Sequence, residues 1–197
     1  YKRVFLVIVL FLVGLPGLSF AFYYLHLFTE PVWYYQFRSI QCIELLSSLP
    51  AMLFGYLTKL VIQKIKVHQS KIRLLLFAAT LFLVFIPFAK PILLPVRMLG
   101  NLDDSRWKDG VCLQSVATTC GPASLATILT RQGIEVTEKE LARKSFTSAT
   151  GTENWYLGRA ARGYGCEVTY LQLDSIDDVP IPSIIGVVTK GGYGHFV

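Results

Sequence analysis

The chain has 197 residues, 53% hydrophobic and only 16% charged, with 19 Lys and Arg against 13 Asp and Glu and a formal charge of +6. Soluble domains run to about 45–50% apolar and about 25% charged residues, so this composition argues against one ordinary soluble domain and for a membrane part followed by a small polar one. The apolar excess lies in the first half, while most Asp, Glu, Gly and Thr follow residue 100. The Lys and Arg sit beside apolar runs and read as membrane orientation; no basic stretch carries the interleaved aromatics of a nucleic-acid surface, so nucleic acid is excluded as a partner.

In chain order, the first apolar stretch runs from about Val4 to Phe28. A span needs about 20 residues, and this stretch is too long, and too closely followed by others, for a cleaved signal peptide. The second, from about Ile40 to Ile62, is weaker because it holds Glu44, Ser47, Ser48, Pro50 and Lys59; the third, from about Ile72 to Ala89, is clean. Three spanning helices are the expected count, with residues 1–90 as the membrane region. Glu44 lies near the end of its span, where its carboxylate is expected to reach the interface. Lys2 and Arg3 precede the first span, and Lys64, Lys66, Lys71 and Arg73 lie between the second and third, whereas the first connection carries Arg38 alone. By the positive-inside rule the N-terminus and the second connection are cytoplasmic and the polar half is external. Were the second stretch only interfacial, the polar half would be cytoplasmic; Lys90 and Arg97 pull in that direction.

Pro87, Pro91 and Pro95 close the third helix, and Gly100 to Gly110, with Asp103, Asp104, Arg106, Lys108 and Asp109, has a solvated composition. Residues 91–110 are therefore expected to be a linker. A helix is expected from about Gly121 to Gln132, with Pro122 in its first turn and Leu125, Ile128 and Leu129 on its buried face. Thr137-Glu138-Lys139-Glu140 is a capping box opening a short helix through Leu141 and Ala142. A third helix is expected from about Glu153 to Arg162, capped by Thr152 and ended by Gly163. The period then changes: Cys166 to Leu173, Ile184 to Val188, and His195-Phe196-Val197 read as strands, the last two joined by Lys190-Gly191-Gly192-Tyr193-Gly194. Helices first and antiparallel strands later is an α+β order. Tyr1 in place of Met, and Val197 inside a strand, read as two cut ends.

Three polar-half positions carry chemistry together. Cys120 opens the expected helix, whose unpaired N–H groups and partial positive charge favour thiolate over thiol. His195 starts a strand behind a glycine-rich turn and suits the base that takes the thiol proton and returns it to a leaving amine. Gln114, six residues before the cysteine, suits an amide donor to a carbonyl oxygen, forming an oxyanion hole with the Cys120 backbone N–H. Singly, each is more often a packing or surface residue; the combination is what is specific. Cys42, Cys112, Cys120 and Cys166 form no C-x-x-C pair, so no metal site and no cofactor is expected; Cys112 and Cys166 could pair in an oxidising compartment.

Gln114-Ser-Val-Ala-Thr-Thr-Cys120-Gly121-Pro122-Ala123-Ser124-Leu125 with Gly194-His195-Phe196-Val197 downstream resembles cysteine peptidase family 39, the papain-like double-glycine leader peptidases that process bacteriocin precursors. The likeness runs from Val111 to Val197, less than half of the chain. It implies a papain-like α+β domain over residues 111–197, the catalytic set Gln114, Cys120 and His195, and hydrolysis after Gly-Gly in a leader peptide. It also implies a bacterial plasma membrane, a peptide or protein substrate, the lipid bilayer and export machinery as partners. The family's histidine-orienting Asp follows the histidine by some distance and so falls beyond Val197; Asp174, Asp177 and Asp178 precede His195 and are poor substitutes. Thr119 stands where many members carry an acidic residue. Best-known members place this domain ahead of an ABC transporter; here it follows the apolar helices, and no Walker A motif occurs. A non-catalytic leader-binding module on a membrane tether is the alternative, disfavoured because Cys120 is kept. Another papain-fold acyl transfer is a third reading.

Overall fold

The computed structural model describes residues 1–25, 27, 31–65, 70–88, 106–192 and 194–197. Lys66, Lys90, Pro91, Pro95, Arg97, Tyr193 and most of the expected linker lie outside the described residues. Two units emerge, Tyr1–Glu30 with Cys42–Ala89, and Pro31–Gln41 with Lys90–Val197.

In the first unit the apolar sequence forms α1 (Lys2–Tyr24), α3 (Ser48–Ile65) and α4 (Ser70–Phe85), with α1 and α4 each packed on α3. Two glycines let α1 approach closely, as small residues do where helices have no large side chains to separate them. A Cβ on Gly14 would stand 3.2 Å from Pro50 Cα; one on Gly17 would stand 2.5 Å from Pro50 Cδ and overlap the Leu46 carbonyl oxygen. A 3₁₀ turn, Ile43–Ser47, precedes α3. Its Ser47 hydroxyl lies 2.7 Å from the Glu44 carbonyl and 2.8 Å from that of Val84. Glu44 is buried, at 5% exposure, instead of reaching outward as the sequence suggested. Arg3–Tyr24 and Ile43–Gln63 are long and apolar enough to cross a membrane; α4 is apolar but 16 residues long, extended by a 3₁₀ turn at Ile86–Phe88.

The second unit opens on a hairpin. Strand β1 (Arg106–Lys108) pairs antiparallel with β2 (Val111–Leu113), Trp107 opposite Cys112. The two-residue turn is Asp109-Gly110, with φ of 52° and 76°, the Asp-Gly pair that favours such turns. The stretch read as a linker therefore ends in a strand. Helix α5 (Cys120–Arg131) follows, then α6 (Glu138–Lys144), whose Glu140 amide donates to Thr137 Oγ1 at 3.1 Å as the capping box requires. Helix α7 (Asn154–Arg162) starts with Glu153 at its cap position; Thr152, expected there, instead bonds the Thr147 hydroxyl at 2.7 Å. On α5, Leu125 and Leu129 are buried as expected, with Ala126 in place of the half-buried Ile128. They share a core with Cys112, Val136, Leu141, Leu157, Ala160 and Ala161.

Strands β3 (Gly186–Val188) and β4 (Gly194–Phe196) form a second antiparallel pair, Val187 opposite His195, extended by reciprocal Ile185–Val197 bonds of 2.8 and 3.0 Å. Cys166 to Leu173, expected as a strand, joins no sheet. Its alternation survives, with 166, 168 and 170 half-buried and 167, 169 and 171 exposed. The backbone bonds a side chain instead: Val168's carbonyl accepts from the Arg162 guanidinium at 3.0 Å. Tyr170 donates to the Asn154 carbonyl at 3.2 Å and lies over Gly158, whose missing Cβ would collide with the Tyr170 hydroxyl.

Helix α2 (Val32–Arg38), in the connection between α1 and α3, belongs to this second unit. Tyr34 and Arg38, one turn apart, are fully buried. The Arg38 guanidinium sits 4.3 Å from the centroid of Trp155 and donates to the Tyr34 hydroxyl at 3.1 Å. Tyr34 meets Trp155 edge-on at 6.1 Å, and Tyr35 stacks on it at 6.3 Å. Two arginines of α7 close the C-terminal end of α2, where unpaired carbonyls attract cations. Arg159 donates to the Arg38 carbonyl, and Arg162 to the Ser39 carbonyl and hydroxyl at 3.2 and 2.7 Å.

On the surface, Tyr164 donates to Glu140 at 2.7 Å, and Lys144 lies 2.8 Å from the Tyr164 hydroxyl and 3.1 Å from Glu140. The Tyr164 hydroxyl, and then Lys144, hold the Glu140 carboxyl below its usual range. A lowered carboxyl stabilises the fold above its unfolded value and loses that contribution as pH falls through its folded value. Thermal melting curves of wild type and Glu140→Gln should therefore differ at neutral pH and converge in acid; a gap that widens in acid would contradict the assignment.

Candidate functional site

Gln114 and Cys120 are joined by the short connection from β2 to α5. Cys120 is the first residue of α5 and is buried, at 8% exposure. Its carbonyl accepts from the Ser124 hydroxyl at 2.9 Å. Ahead of it, Thr119 is fully buried, and its hydroxyl donates back to the Val116 carbonyl at 2.8 Å, closing a tight turn at the helix entrance. Gln114 is half-buried, directly after β2.

A residue that the sequence reading missed holds this connection in place. Glu138, in the first turn of α6, is 1% exposed, and its two carboxylate oxygens accept from the Ser115 amide at 2.8 Å and hydroxyl at 2.6 Å. Glu138 counted only as part of a capping box; its partner 23 residues away leaves no local pattern. The other end of the segment is fixed by Thr127 on α5, which accepts from the Cys112 amide at 2.9 Å and donates to the Ala123 carbonyl at 3.0 Å.

His195 lies on β4, half-buried, and β4 packs against α5. The closest approach is at Gly121, where a Cβ would stand 3.1 Å from Phe196 Cδ2 and 3.3 Å from Leu157 Cδ2. Cys120 and His195 are therefore each one residue, about 3.8 Å of backbone, from a pair in contact. Alternation along β4 turns His195 to the face opposite Phe196. Leu157 ties α7 to the same spot. The structure thus packs the strand that carries His195 against the first turn of α5, one residue from Cys120. Asp174, Asp177 and Asp178 lie in or beside the exposed turn Ile176–Asp178 and hold no carboxylate against this end of the helix.

All four cysteines are free thiols. Cys112 is buried beneath α5, and Cys166 donates to Gln132 Oε1 at 3.6 Å. Among the described residues no cluster of His, Cys, Asp and Glu suits a metal ion.

Residues 108–197 match the Peptidase C39 family. An uncharacterised protein of Methanothermobacter thermautotrophicus is 36% identical over 67 residues, covering 34% of this chain and 47% of the relative. A second, from Methanothermobacter marburgensis, is 37% identical over 70 residues, covering 32% of this chain and 49% of the relative. The chain thus spans about half the length of the curated relatives it matches. No solved structure gives a significant match.

Replacing Glu138 with Ala leaves the Ser115 amide without its charged acceptor. With charge-assisted bonds contributing about 1.5–3 kcal/mol, thermal unfolding of Glu138→Ala should reveal a loss of that order. A melting temperature equal to wild type would show that the connection is held without the carboxylate.

Proposed function

We propose, from the match of residues 108–197 to the Peptidase C39 family, that this protein is a membrane-anchored cysteine endopeptidase of papain-like fold that cuts after Gly-Gly in leader peptides. The observation that supports the reading is that the family match includes both the Gln-to-Cys segment and the histidine strand, and that this strand packs against α5 at Gly121, the residue after Cys120.

In the proposed reaction His195 takes the Cys120 thiol proton, and the thiolate attacks the carbonyl carbon after the second glycine. The carbonyl oxygen becomes an oxyanion, held by the Cys120 amide and the Gln114 side chain. Collapse of the tetrahedral species breaks the C–N bond, and the imidazolium protonates the leaving amine. Water, deprotonated by the neutral imidazole, then attacks the thioester, releasing the leader and restoring the thiol. Two glycines suit a cleft too narrow for side chains, where steric exclusion sets specificity.

Anchoring rests on the two helices long and apolar enough to cross a bilayer. A third crossing by α4, with the peptidase domain on the external face of a plasma membrane, follows from the basic residues Lys2, Arg3, Lys64, Lys66, Lys71 and Arg73 on the other side. The substrate would then be met at or after export, with the export machinery as a partner.

With the protein in liposomes and a Gly-Gly leader peptide as substrate, Cys120→Ala should abolish cleavage; retained cleavage would remove the cysteine from the chemistry. Binding without cleavage by the wild type would favour a leader-binding module. Gln114→Ala should lower kcat by about 10²–10³ with little change in KM, as for loss of one oxyanion donor. An unchanged kcat would take Gln114 out of the oxyanion hole.

A further inference from the structure

The connection between α1 and α3 is not a spare loop. Its helix α2 buries Tyr34 and Arg38 completely, against the aromatic face of Trp155, and its terminal carbonyls accept from Arg159 and Arg162 of α7. Arg38 enters the orientation argument as the one basic charge on that connection, yet its guanidinium lies inside the folded unit. A buried guanidinium over an indole ring contributes more than an exposed one, because no water competes for the cation. Such a set of bonds requires α2 and α7 to occupy one compartment.

From this we infer that residues 31–41 are a detached piece of the peptidase domain, so that α3 and α4 cross the membrane as a pair and α2 faces the same compartment as the domain. The inference rests on the membrane anchoring proposed above and not on the peptidase chemistry. Chain continuity supplies the logic. Whatever lies between Gln41 and Lys90 must start and finish on one side, so it crosses an even number of times. With α3 as one crossing, α4 is the other.

The dimensions of α4 permit it. Sixteen α-helical residues span about 24 Å, and the three-residue 3₁₀ turn that follows adds about 6 Å. Together they match the roughly 30 Å of bilayer hydrocarbon. Lys71 and Arg73 lie in the first turn of α4, where long side chains reach back to the headgroups. Lys64 stands in the last turn of α3, so the proposed pair carries its basic residues where α3 ends and α4 begins.

The test uses single reporter cysteines at exposed positions of the full chain, with Cys42 and Cys166 replaced by Ser and the buried Cys112 and Cys120 kept. Trp33→Cys reports on α2, Gln63→Cys on the C-terminal end of α3, and Ile176→Cys on the peptidase domain. Each is treated in intact cells with a membrane-impermeant polyethylene-glycol maleimide and again after lysis, with the reporter-free parent as background. Residues 33 and 176 should label alike, near completely before lysis, and residue 63 only after it. Labelling of 33 and 176 on opposite sides would overturn the inference, because the intervening chain would then cross an odd number of times. Labelling of all three together would also overturn it, since the helix pair would not cross. Each reporter protein keeps Cys120 and is also assayed for leader cleavage; absent cleavage with the expected labelling would fault the peptidase reading and leave the topology standing.

Discussion

The absence of a side chain at Gly121 is the constraint on which the rest of the second unit turns. Phe196 and Leu157 both rest on that backbone, 3.1 and 3.3 Å from where a Cβ would be. One belongs to the strand that carries His195, the other to the helix that receives α2. A side chain here would push the histidine strand away from the start of α5, or α7 away from both. Interiors are packed too tightly to absorb such a change without movement. Cysteine, histidine strand and α7 therefore share one contact point, and the Cys-Gly pair in the sequence is a packing requirement as much as a chemical signature.

Polar anchors complete what packing begins. Glu138 grips Ser115, Thr127 grips Cys112, and Thr119 turns the chain into α5. Thr127 holds β2 itself, and the other two act on the stretch between β2 and α5, which has no regular structure of its own and would otherwise have many conformations to lose. Held in this way, the loop would give the proposed reaction the fixed placement of amide and thiol that it needs. On the other face of α7, the arginines spend their donors on the carbonyls of α2, and Trp155 is covered by Arg38 and the tyrosines.

Much of this was legible in local sequence, because local sequence is where caps and periods reside. The capping box at Thr137, the span of α5 and the β3–β4 hairpin follow from short-range patterns. The Asp109-Gly110 turn was equally readable but lay hidden in a charged stretch that resembled a linker. Cys166 to Leu173 shows the limit of alternation, which reports that a segment is half-buried and not that another strand will pair with it. The candidate site residues were nominated by motif, and the packing of the His195 strand on α5 depends on Gly121, whose meaning appears only once Phe196 lies on it. Least visible of all were the pairings of Arg38 with Trp155 and of Glu138 with Ser115. Neither leaves a periodic trace, and in the sequence Arg38 looked like an ordinary flanking charge.

The Arg159 bond to Arg38 joins residues 121 positions apart, and that separation sets an order of events during synthesis. At roughly 5–20 residues per second, α2 emerges about 6 to 24 s before α7 exists. Through that interval its tyrosines and its guanidinium lack the Trp155 ring they pack on, while α3 and α4 are being made. The C-terminal fold is finished only when α2, made long before, is picked up by the last third of the chain. A chain that stops short of α7 therefore leaves Tyr34, Tyr35 and Arg38 without the indole ring they cover.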